Sequence, residues 1–168
     1  MPVSVEWDNP EKTIVRFIYA GKWTWEDFYK YIDQANSMMD TVDKPVVSII
    51  DMSESSYLPP GAAMHIRNVV RMSMSHNNSN ISVYLQAGRF LSAFMDVLNK
   101  SYPDLMSNTA WLYTDTLEEA RQIAREQVEK LHASLPVADA STPSAGASDT
   151  DTQETPVATN DEETHDAV

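Results

Sequence analysis

The chain has no cysteine among its 168 residues, which excludes disulfides, thiolate zinc sites, iron–sulfur clusters and cysteine nucleophiles. Glycine is almost as scarce. Gly21, Gly61, Gly88 and Gly146 stand singly, so no glycine-rich loop is available to cradle a phosphate. No apolar run approaches the ~20 residues a membrane helix needs, and the opening Met-Pro-Val-Ser-Val-Glu lacks the basic and apolar regions of a signal peptide. A cytoplasmic protein with no membrane span is expected. Basic residues are also few: 12 Lys and Arg against 25 Asp and Glu give a net charge of −13, which argues against nucleic acid as a partner.

What the chain does contain is unevenly distributed. Every aromatic residue lies between Trp7 and Tyr113, whereas Ser134 to Val168 is built from Ala, Ser, Thr, Pro, Asp and Glu with no aromatic, Lys or Arg. That segment cannot bury enough apolar surface to offset the ordering of its backbone, so residues 134–168 are expected to be a disordered tail after one domain, 1–133. Eight of the 25 acids fall in the tail, leaving the domain only −5 of the net −13. Such a tail either attracts basic partners or acts as a solubilising appendage.

Within the domain, Val3, Val5 and Trp7 alternate with polar residues, as do Val15, Phe17 and Tyr19, across a turn at Asp8-Asn9-Pro10. This predicts a β-hairpin. Thr24 and Asp27 form a variant capping box, and Trp25, Phe28, Tyr29, Ile32, Ala35 and Met39 recur at helical spacing to about Asp40. Pro45 to Asp51 reads as a strand covered on both faces, followed by a helix from near Pro60 with Ala63, Ile66, Val69 and Val70 inward. A strand over 81–86, a helix from Phe90 to Tyr102, a strand over 110–113 and a helix capped by Thr116 and Glu119 complete the pattern. The order ββαβαβαβα predicts an α/β domain with a single mixed, mostly parallel sheet and four helices.

This order, with Asp51-Met52-Ser53 closing the central strand and Tyr113-Thr114-Asp115-Thr116-Leu117-Glu118-Glu119-Ala120 opening the last helix, resembles the STAS domain over residues 3 to about 131. That fold is shared by bacterial anti-sigma-factor antagonists and the cytoplasmic tails of sulfate transporters, and is close to the lipid-binding CRAL-TRIO type. In the antagonists an Asp-Ser-Ser-Gly stretch after the central strand carries a phosphorylated serine. Here Glu54-Ser55-Ser56-Tyr57 follows instead, so the resemblance implies Ser53, Ser55 and Ser56 only as candidate phosphoacceptors.

The carboxyl ends of parallel strands are where ligands gather in open α/β sheets. Asp51, Ser53, Ser55, Ser56, Tyr57, Gln86, Arg89 and Asp115 are therefore the candidate partner or ligand surface, although Asp51 and Asp115 equally suit loop and cap roles. Trp23, Tyr31 and Met38 fall off the inward stripe of the first helix and form a candidate interface. Of the histidines only His65 lies within a well-formed element, as a surface residue without a Gly-x-Ser-x-Gly partner, so no catalytic residue is assigned. Met72 and His76 make too poor a set for a metal, and no cofactor is implied. The expected function is a non-catalytic, regulatory protein-interaction domain; the alternative is a carrier of a small molecule or lipid in a cavity between sheet and helices.

Overall fold

The computed structural model describes residues 1–73 and 78–134. The tail expected from 134 onward lies outside the described residues beyond Ser134, as does the segment Met74–Asn77 with His76.

The elements are β1 (Val3–Trp7), β2 (Ile14–Ala20), α1 (Trp25–Met39), β3 (Val46–Glu54), α2 (Ala62–Ser73), β4 (Asn78–Leu85), α3 (Gly88–Ser101), α4 (Pro103–Met106), β5 (Ala110–Thr114) and α5 (Leu117–Ser134). They form the expected α/β architecture: one five-stranded sheet in the order β1-β2-β3-β4-β5, antiparallel at β1/β2 and parallel elsewhere. The single turn α4 is an addition to the four long helices. The second helix begins at Ala62 rather than near Pro60, because Gly61 has a φ of +82°, outside the helical region. One consequence is that Ala62 is buried and Ala63 is exposed.

Strand order then distributes the helices. Each crossover from β2 to β5 advances one position in the same direction, and crossovers of a common hand place their helices on a common face. α1 packs with Val3, Val15, Phe17 and Tyr19 on that face. α5 follows the last strand, is not a crossover, and covers Val47, Ile49, Val83 and Leu85 on the opposite face. Pleating sends alternate residues of each strand to the two layers, so a strand such as Val46-Val47-Ser48-Ile49-Ile50 must be apolar almost throughout.

α5 packs on β3, β4 and β5 and on Ile14 of β2, and the hairpin carries charged groups on the same face. Arg16 lies opposite Glu6 across the hairpin and reaches Asp51, while Arg121 of α5 donates two hydrogen bonds to Asp8 at 2.8 and 2.9 Å. These pairs tie the hairpin to the central strand and to the last helix.

Candidate functional site

The other face holds a void. Ser48 of β3 and Ser82 of β4 are register partners, side by side in the middle of the sheet, on the face under α1, α2 and α3. Two small side chains there leave space that flanking Ile50 and Tyr84 cannot fill, and a cavity of about 130 Å³ results. Its walls come from Phe17 and Tyr19 of β2 and from Trp25, Phe28, Ile32, Asn36 and Met39, a single stripe of α1. Leu58, Ala62 and Val69 from the β3–α2 connection and α2, with Leu91, Phe94 and Met95 of α3, complete it.

The lining is apolar except at a few positions. Asn36 is 8% exposed and Ser48 3%, and neither side chain hydrogen-bonds to another group among the described residues. Burial, and secondarily the neighbouring Tyr84, pushes the Tyr19 hydroxyl above the ordinary phenol range; burial and then Tyr113 do the same to Tyr84. Both phenols are therefore neutral. Among the described residues, no Asp, Glu, Lys, Arg or His lines the cavity.

An aromatic latch spans one side. The Trp25 indole N–H donates to the Pro60 carbonyl at 2.8 Å, and the His65 ring of α2 stacks on Trp25 with centroids 4.4 Å apart. The Tyr29 hydroxyl and His65 Nδ1 are 2.6 Å apart. His65 is thus half-buried between α1 and α2 rather than a surface residue. Among the described residues it has no carboxylate to orient its second ring nitrogen, as a triad would require.

The residues singled out from sequence are dispersed by the structure. Asp51 is 1% exposed, so it is not part of a surface. One of its carboxylate oxygens accepts from Arg16, and the other accepts from the Ser53 amide at 3.0 Å and hydroxyl at 2.6 Å. Ser55 is buried, its hydroxyl donating to the Gly21 carbonyl at 2.6 Å, which removes it as an accessible phosphoacceptor. Ser53 and Ser56 are exposed, and Tyr57 is half-buried beneath the Lys22 ammonium. Gln86, Arg89 and Asp115 do come together, at the ends of β4 and β5, where the Gln86 amide donates to the Asp115 carbonyl. Arg89 and Asp115 border an open crevice of mixed charge that also includes Asp96.

The proposed exposure of the first helix does not hold. Trp23 is 4% exposed and packs against Tyr19, Trp25 and Phe28; Tyr31 is 5% exposed, with its hydroxyl donating to the Met1 sulfur. Met38 is half-buried against the same core. The hairpin strand β1 lies beyond β2 and gives α1 a wider apolar surface to cover than one helical stripe needs. Sequence reasoning gave a cavity between sheet and helices as the alternative and singled out none of the residues that line it, although the serines interrupting two apolar strands were its signal.

Among the described residues no helix is long and apolar enough to cross a membrane, and no group of three or more His, Asp or Glu is arranged to hold a metal ion. Compared with protein-family models, curated proteins and solved structures, the chain matches none.

Proposed function

We propose that this protein binds a small apolar molecule in the cavity between its sheet and α1, α2 and α3, without acting on it chemically. The carrying observation is the cavity itself, about 130 Å³ with an aromatic and aliphatic lining. An apolar cavity of ~150 Å³ accepts a benzene-sized molecule. This is smaller than the several hundred Å³ expected of a lipid carrier, which directs the reading to single-ring ligands. The burial of Asp51, Ser55, Trp23 and Tyr31 removes much of the surface that a protein-docking reading relied on. The resemblance to STAS domains is supported by the order of elements, with the Asp-Ser-Ser-Gly stretch missing.

Titration with toluene tests the proposal, because Trp25 lines the cavity and its emission reports occupancy. A saturable change accompanied by a higher unfolding temperature is expected, and Ser48→Leu, which places an isobutyl group in the void, should abolish both. A response that does not saturate, or that Ser48→Leu leaves intact, would refute it.

A further inference from the structure

The cavity is not uniformly greasy, and its polar atoms define the ligand more sharply than its volume does. Asn36 on α1 and Ser48 on β3 are both more than nine-tenths buried, both line the cavity, and neither side chain has a hydrogen-bonding partner among the described residues. Buried polar side chains are nearly always paired, so a pair left open onto a void marks a place where something else completes them. Asn36 offers both a donor and an acceptor, and Ser48 offers both from one hydroxyl. Neither carries charge. The Tyr19 and Tyr84 phenols in the same lining are held neutral by burial.

Resting on the ligand-binding reading above, we infer that the cavity selects an uncharged, single-ring molecule bearing one hydroxyl or carbonyl group, which Asn36 and Ser48 hydrogen-bond, and that it rejects carboxylates of the same shape. The rejection follows from the lining. A carboxylate entering it would shed its hydration with no cation to meet it, whereas a phenol sheds one hydroxyl's hydration and regains it from Asn36 and Ser48. A site built to hydrogen-bond a ligand's hydroxyl also disfavours the analogue that lacks one, because its own polar groups then remain open.

Three probes of nearly one shape separate the possibilities at neutral pH: toluene, 4-methylphenol and 4-methylbenzoate, titrated calorimetrically into the full chain. The expected order is 4-methylphenol tightest, toluene weaker by about tenfold, and 4-methylbenzoate without measurable binding. Asn36→Leu with Ser48→Ala should bring 4-methylphenol down to the affinity of toluene while toluene binding persists, which also shows that the variant is folded. If none of the three binds saturably, the ligand-binding reading itself fails. If toluene binds but 4-methylphenol gains nothing over it, if 4-methylbenzoate binds equally well, or if the double variant keeps the phenol's advantage, the cavity binds ligands but the assignment of Asn36 and Ser48 is overturned.

Discussion

Ser48 occupies a position where valine would complete the apolar surface of β3. Its side chain faces the cavity with no hydrogen-bonding partner among the described residues and buries less apolar surface than valine would, so the folded state is less stable than the strand pattern would permit. Ser48→Val should therefore raise stability by about 1 kcal/mol, seen as a higher urea midpoint, while weakening ligand binding. Stabilisation coupled to loss of binding is what a functional void predicts. Asp51 shows the opposite relation. Burial pushes its carboxyl up, but the hydrogen bonds from Ser53 and the Arg16 guanidinium together outweigh burial and hold it below the ordinary carboxylate range. A folded value lower than the unfolded one contributes stability that is complete above pH ~4 and is lost as pH falls through the lowered value. Asp51→Asn should cost about 2 kcal/mol at pH 7, less than for an isolated buried pair because Glu6 and Asp8 also face Arg16 at 3.8 and 3.9 Å. Urea unfolding at descending pH should show the gap between wild type and variant closing below the ordinary carboxylate range; a constant gap would mean that the ionised carboxylate is not what stabilises.

At the scale of elements, the two capping boxes read from sequence have different outcomes. At Thr24 both halves form: its hydroxyl accepts from the Asp27 amide, and the Asp27 carboxylate accepts from the Thr24 amide. At Thr116 only one half forms, a 3.3 Å bond from the Glu119 amide, because the Glu119 carboxylate instead accepts from the Thr114 hydroxyl at 2.5 Å. Thr24→Ala should accordingly cost about 1 kcal/mol, and Thr116→Ala less, as thermal unfolding of each would show. Between elements, Trp25, Tyr29 and His65 join α1 to α2 beside the cavity. Removing the ring with His65→Ala should accelerate ligand release several-fold, about what one lost hydrogen bond permits, in stopped-flow fluorescence. An unchanged release rate would place the ligand's route elsewhere. The caps were legible because they depend on residues three apart in sequence. The latch was not, since Tyr29 and His65 meet only once α1 and α2 lie on one face.

For the molecule as a whole, the buried residues run from Val3 to Val128, and the last described helix closes the second face of the sheet. The acids beyond Pro136 add charge but little apolar surface. A chain ending at Pro136 should therefore unfold at the same urea midpoint and with the same slope as the full chain, because that slope follows the surface exposed on unfolding. A lower midpoint would show that the remaining segment contributes to the fold. Such a truncation retains all of α5, whose Ala120, Ala124 and Val128 fill the layer over Val47 and Ile49.

The amino-acid sequence by itself determined the succession of strands and helices, the hairpin, the caps and the mixed sheet, because alternation, helical spacing and capping act between residues close along the chain. Only the tertiary structure decided which surfaces remained open. Burial of Trp23 and Tyr31 depends on how far β1 extends the layer beneath α1, and the cavity depends on the register that sets Ser48 beside Ser82. A single serine in a strand is an ordinary local feature; two brought together under a helical layer leave volume that no neighbouring side chain reaches.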